Sequence, residues 1–296
     1  MLISHESHIS DGGKGALAIL GTGVLWGSIG VFVAELAALG STPALTGFMR
    51  MAFGFLIVLP VAVAHRSLRI DRRALTSCAM LGLLAHAPFN VFYGLSVPAN
   101  GVALGAVLLY TAPVFTALAS AILFGERFSL RKLLALGINI IGCVLAVTGG
   151  DFSGSSSGFT IAGVLFGLGS GFFYGMVPIL GKVAGQRADP FAVSTWSYLF
   201  TAIALLVFTR PPLALLGNIG ISGLGFFYGL ITAALPYLLY YFGVQKIRDT
   251  SRVPVFASIE LVIAAVIGVA FYSEPLGLVN VAGIILVLVS IALDSL

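Results

Sequence analysis

Three ionisable side chains lie inside long apolar runs of this chain: Arg50, His86 and Glu260. A charge at the centre of a membrane helix costs on the order of 2.5 to 3.5 kcal/mol, so such a residue must face a partner or a wet space. Glu260 is the sharpest case. A carboxylate there can hold a cationic amine, carry a proton, or form a fixed ion pair with Arg50, its candidate intramembrane partner. His86, Asn90 and Tyr93 follow at i, i+4 and i+7, which places them on one helix face as a polar stripe. Tyr237 and Tyr241 form a similar stripe in a later run. Trp26 and Tyr174 lie well inside two other runs, away from the interfaces where membrane aromatics gather. These eight positions, Glu260 included, are the candidate lining of a substrate-binding cavity for an amphipathic solute. Pro88 and Pro236 each remove a helix hydrogen bond beside the stripes, which predicts two kinks and two freed carbonyls.

The elements that must position these groups follow from composition. The 296 residues are 59% hydrophobic and 9% charged, with mean hydropathy +1.09, far more apolar than a globular chain. This is an all-α polytopic membrane protein. A spanning helix needs roughly 20 mostly apolar residues, and ten segments qualify: 15–36, 43–64, 74–96, 101–123, 131–149, 159–182, 190–209, 219–244, 251–272 and 276–293. The gaps are short and carry turn signals such as Gly40-Ser41-Thr42-Pro43 and Pro98-Ala99-Asn100-Gly101, leaving no room for a soluble domain. The polar stretch from Gly149 to Gly158 reads as a linker between residues 1–150 and 151–296.

The net charge of +4 does not describe a nucleic-acid surface, because the charges are few and confined to the gaps. They report topology. With the N-terminus cytoplasmic, thirteen of the fifteen Lys and Arg residues fall on that side, among them Arg66, Arg69, Arg72, Arg73, Arg127, Arg131, Lys132 and Lys182. Both chain ends are then cytoplasmic. Cys78 and Cys143 have no metal-ligand spacing and read as packing residues, and no metal or cofactor is expected. A nucleophile-base pair or a His-Glu-x-x-His cluster is absent from the sequence, so an intramembrane enzyme is not expected.

A repeat organises the whole. Residues 101–127 return in degenerate form as 249–275, and the register of 148 also pairs Gly23 with Gly171, Trp26 with Tyr174, Gly27 with Gly175, Pro88 with Pro236, Tyr93 with Tyr241 and Glu126 with Glu274. Each half holds five spans, an odd number, so the second half must be inverted relative to the first. Two inverted five-helix repeats around a central cavity are a recurring transporter architecture, with the solute site near the midplane.

The residues Leu25-Trp26-Gly27-Ser28, Pro43 followed by Arg50, Pro113-Val114 and Gly125-Glu126, with Glu260 and Glu274 in the second half, resemble the drug/metabolite transporter superfamily in its EamA-type branch. The resemblance covers nearly the whole chain, with Leu261 where that family often has proline. Within it the sequence is similar to the YddG-type bacterial exporters of aromatic and other amino acids. That resemblance implies export of amino acids or related metabolites across a bacterial inner membrane, with a small-molecule substrate and the lipid bilayer as partners. It implies no nucleic acid partner, and a monomer is the expected state. Another solute, such as a drug, sugar derivative or polyamine, is the rival reading.

Overall fold

A computed structural model of the chain describes residues 11–127, 129–150, 160–273 and 277–295. All regular structure among them is helical. The first span is built from α1 (Asp11–Trp26) and α2 (Ile29–Ala38), interrupted at Gly27 and Ser28. The second is α3 (Pro43–Ala64), started by the Thr42 hydroxyl accepting the Leu45 N–H and by Pro43 in the first turn, where no N–H is needed. The third runs through α4 (Arg72–Leu81), a π-helical turn (Gly82–His86) and the first part of α5 (Ala87–Leu109), whose last residues from Leu104 begin the fourth. The expected turn after residue 97 falls within the range of α5: the third crossing segment stops at Val97 and the fourth begins at Leu104, and a Cβ on Gly105 would lie 3.6 Å from Val97 Cα, so the chain reverses between them. α6 (Ala112–Phe124) and α7 (Leu130–Thr148) complete the first half.

The second half comprises α8 (Ile161–Gly185), α9 (Pro190–Thr209), α10 (Ile219–Gly229), a second π-helical turn (Leu230–Ala234), α11 (Leu235–Lys246), α12 (Arg252–Ala257), α13 (Ile259–Tyr272) and α14 (Leu278–Ser295). Among the described residues nine segments are long and apolar enough to cross a membrane, and Leu278–Asp294 is a shorter apolar helix. The chain therefore builds the ten-helix inverted repeat. Glu274 and all of the expected linker beyond Gly150 lie outside the described residues.

The register of 148 recurs in the irregularities. The two π-helical turns are equivalent under it, and each precedes its proline, Pro88 or Pro236, by two residues. A proline ring clashes with the carbonyl four residues back and offers it no N–H, and a widened turn relieves the clash. The breaks at Tyr110-Thr111 and at Ser258 are equivalent as well.

Each break is seated on glycines of the opposite half. A Cβ on Gly23 would lie 2.7 Å from the Ala257 carbonyl, and one on Gly27 would lie 3.0 Å from the Glu260 carbonyl. Their repeat partners behave alike, with a Cβ on Gly171 2.7 Å from the Leu108 carbonyl and one on Gly175 2.7 Å from the Ala112 carbonyl. The small-residue spacing thus brings the first span onto the ninth and the sixth onto the fourth, backbone against backbone. The Ser258 break is braced further by Asn139, whose Nδ2 donates to Ser258 Oγ at 2.8 Å and to Ser290 Oγ at 2.9 Å.

Candidate functional site

The kink at Pro236 gathers the first contacts. In an α-helix the Thr232 carbonyl would accept from the N–H of residue 236, which as proline has none. It accepts instead from Arg50 Nη2 at 2.9 Å, from Arg50 Nε at 3.3 Å and from Trp26 Nε1 at 3.1 Å. The next carbonyl, of Ala233, accepts from the Tyr198 hydroxyl at 2.8 Å, and the Pro236 carbonyl accepts from Thr22 Oγ1 at 3.0 Å. The irregular backbone of one half is therefore satisfied by side chains of spans one, two and seven, as burial without water requires.

Around this point sits an aromatic cluster. The Trp26 ring lies 5.2 Å from Tyr237, 5.4 Å from Tyr240 and 6.3 Å from Tyr174, centroid to centroid. The Arg50 guanidinium carbon stands 5.9 Å from the ring centroids of both Tyr228 and Tyr237, within cation-π range. On the third span His86 Nε2 is 2.7 Å from the Tyr241 hydroxyl, and the His86 Nδ1 is 3.5 Å from the Tyr237 hydroxyl. Asn90 Nδ2 donates back to the His86 carbonyl at 2.8 Å.

Glu260 lies in the first turn of α13, directly after the Ser258 break. A helix N-terminus at mid-membrane favours an anion through its unpaired N–H groups. The carboxylate Oε1 accepts from the Tyr110 hydroxyl at 2.9 Å. Tyr110 itself is the repeat equivalent of Ser258, so the two helix breaks meet through this bond. Tyr93, Tyr174 and Tyr237 are within electrostatic reach of the same carboxylate.

Arg50 and Glu260 do not form the fixed ion pair that their positions allow. Among the described residues no salt bridge joins them, because the guanidinium is drawn to the Thr232 carbonyl and the carboxylate to Tyr110. Each keeps a polar atom with no protein partner among the described residues, Glu260 Oε2 and Arg50 Nη1.

The predicted lining residues divide into two groups. His86 and Tyr241 are 0% exposed, Tyr237 1% and Trp26 3%, so in this structure they are packed core and line no open space. The cause is mutual: each finds ring or hydroxyl partners within the cluster. Asn90, Tyr93, Tyr174 and Glu260 keep partial exposure, as does Tyr110. The Arg-rich connections at Arg66 to Arg73 and at Arg127 to Lys132 mark one basic end of the bundle. Every ion pair among the described residues lies at the basic end: Glu126 with Lys132 and Lys182, Asp11 with Lys246, and Arg252 with Asp294.

Thr232, Tyr110, Tyr198 and Tyr228 make contacts in this cluster without standing out as candidates in the sequence, whereas Tyr240 lies beside the Tyr237 and Tyr241 stripe. Two of them carried a signal. Thr232 stands four residues before Pro236, and Tyr198 is the repeat equivalent of Arg50.

Ten helices in two inverted halves, with helix breaks and charged side chains inside the apolar spans, fit a multi-pass membrane transporter. Comparison with known proteins gives the family. The EamA-like transporter family profile matches residues 13–148 and again residues 161–296, and the chain belongs to that family. It is 30% identical over 269 residues to an uncharacterized transporter of Archaeoglobus fulgidus, covering 91% of this chain and 92% of that protein. The uncharacterized inner membrane transporter YicL of Salmonella typhimurium is 25% identical over 294 residues, covering 96% and 95%. One solved crystal structure superposes with a TM-score of 0.77 at 15% identity, covering 95% of this chain and 96% of the other, which speaks to fold alone.

Proposed function

We propose that this protein exports amino acids, aromatic and other neutral ones, by alternating access between its two repeats, residues 1–150 and 151–296. The observation that carries the reading is the pair of opposite charges, Arg50 in the first half and Glu260 in the second, left unpaired with each other, each with an unpartnered polar atom. Holding two charges apart at mid-membrane is costly. A zwitterionic solute offsets that cost, with its ammonium toward Glu260 and its carboxylate toward Arg50. Tyr110 on the carboxylate, with Tyr93 and Tyr174 within its electrostatic reach, suits an ammonium and an aromatic or aliphatic side chain. The membrane is the bacterial inner membrane, the chain ends and the basic end are cytoplasmic by the Lys and Arg asymmetry, and a monomer suffices. On this reading the ion pairs between the halves, Glu126 with Lys182 and Asp11 with Lys246, tie the cytoplasmic side together.

The test is uptake of labelled amino acids into liposomes containing the purified protein. Saturable uptake competed by tryptophan or phenylalanine supports the reading. Uptake of a polyamine or sugar derivative with no uptake of any amino acid overturns it.

A further inference from the structure

We infer that Pro236 is a positioning residue for Arg50: by withholding its N–H it frees the Thr232 carbonyl to fix the guanidinium so that its end-on edge is presented to a substrate carboxylate. The inference rests on the amino-acid reading and names a determinant within the same site.

A guanidinium has five N–H groups in one plane and two edges that can each take a bidentate partner. The side-on edge consists of Nε and Nη2, and both atoms point at the Thr232 oxygen, at 3.3 Å and 2.9 Å. With that edge spent, the plane is held, and the ring centroids of Tyr228 and Tyr237 each lie 5.9 Å from the guanidinium carbon, in cation-π range. The end-on edge, Nη1 with the second N–H of Nη2, carries no further bond among the described residues. That edge matches a carboxylate by two parallel charge-assisted bonds.

The same geometry explains the choice of a backbone carbonyl as the anchor. A carboxylate there would neutralise Arg50 and compete with the substrate, whereas a carbonyl orients the group and leaves its charge in place. Trp26 Nε1 on the same oxygen adds a second donor from the first span, so the anchor is shared by spans one, two and eight. In the repeat-equivalent place the first half has Pro88 but no cation, because Tyr198 stands where Arg50 would be. The device is therefore built once, on one side of the pseudo-two-fold axis.

The experiment is binding of two probes, L-phenylalanine and 2-phenylethylamine, which differ by the carboxylate. In Pro236→Ala the restored N–H competes for the Thr232 oxygen and releases Arg50. Affinity for phenylalanine should fall by about tenfold, and that for phenylethylamine by less than about twofold. Arg50→Lys, which keeps the charge but cannot serve anchor and substrate through separate edges, should lose phenylalanine to a similar degree. The double variant should be no worse than either single one. Equal loss of both probes in Pro236→Ala, or independent multiplication of the two effects, overturns the positioning role. If Pro236→Ala does not fold, Arg50→Lys decides alone, since unchanged phenylalanine affinity there overturns it. Wild-type protein that binds neither probe overturns the amino-acid reading and this inference with it, an outcome distinct from equal loss in the variant.

Discussion

Glu126 ties the two halves together at the basic end, and its replacement should open that end. Its Oε1 accepts the Thr250 N–H at 2.8 Å and lies 3.6 Å from Lys182 Nζ, while Oε2 accepts the Ser251 N–H at 3.4 Å and lies 3.5 Å from Lys132 Nζ. The side chain is 6% exposed. One good charge-assisted hydrogen bond contributes about 1.5 to 3 kcal/mol, and the two long lysine contacts add about 0.5 kcal/mol each. Glu126→Gln keeps an acceptor for Thr250 and loses the charge, so it should cost about 1 to 2 kcal/mol, a shift of roughly 5- to 30-fold toward the state open at that end. Glu126→Ala should cost about 3 kcal/mol. Burial alone would raise the carboxyl pKa. The Thr250 backbone N–H and hydroxyl, Ser120 and Lys132 outweigh that and hold it below the usual carboxylate value. A depressed pKa in the closed state means the tie is complete above the ordinary carboxylate range and is lost as pH falls through and below about 4.3. Spin labels at the exposed positions Arg131 and Arg248, one in each half, would report the opening as a longer distance component. That component should grow on acidification in the wild type and be present already, and insensitive to acid, in Glu126→Gln. Distance distributions identical in wild type, Gln and Ala variants would refute the latch.

Glu260→Gln should abolish accumulation against a gradient and weaken binding of amines with or without a carboxylate by tenfold or more, read by uptake into liposomes. Retention of wild-type affinity would remove Glu260 from the site. Tyr110→Phe, which deletes the hydroxyl on Glu260 Oε1 and little else, should weaken the same amines by about three- to tenfold in the same assay. A cysteine at Asn90 should react with a polar thiol reagent and be protected by substrate, whereas one at Tyr237, 1% exposed, should not react while the basic end is held closed. Rapid labelling at Tyr237 with Glu126 intact would contradict the burial described above. Gly142→Ala, where the new Cβ would lie 2.8 Å from Val287 N and 2.9 Å from the Gly283 carbonyl, should lower stability by about 1 to 3 kcal/mol, seen as a reduced melting temperature in detergent.

Much of this was legible in the sequence because membrane folds impose simple rules. Backbone groups must be satisfied within helices, so the ten apolar segments announce themselves, and the register of 148 locates the kinks and the close-packed glycines. The gap at Pro98-Ala99-Asn100-Gly101 is legible in the same way, because the crossing segments stop at Val97 and resume at Leu104. The site was legible only in part. Arg50 and Glu260 stand out as charges in apolar runs, yet their partners are a backbone carbonyl and a tyrosine hydroxyl, which carry no signature in composition. Three tyrosines in one short stretch, Tyr237, Tyr240 and Tyr241, look alike on paper, and all three prove buried because they pack on Trp26, His86 and one another. Which aromatic faces a cavity and which fills the core is decided by helix rotation, and that is set by contacts between halves.

The repeat and its departures do different work. Where the halves agree, at the π-helical turns, the paired breaks and the glycines seated on them, they supply a frame that can present the same backbone geometry to either side of the membrane. Where they disagree, the polar groups of the site are found: Arg50 against Tyr198, His86 against Ala234, Glu260 against Ala112. A fully symmetric chain would place two like charges across the axis, and their repulsion in a low-dielectric interior would have no protein group to offset it. Placing the cation in one half and the anion in the other avoids that cost and polarises the space between them. If the proposed function holds, this asymmetry is what lets a structural repeat orient a dipolar solute.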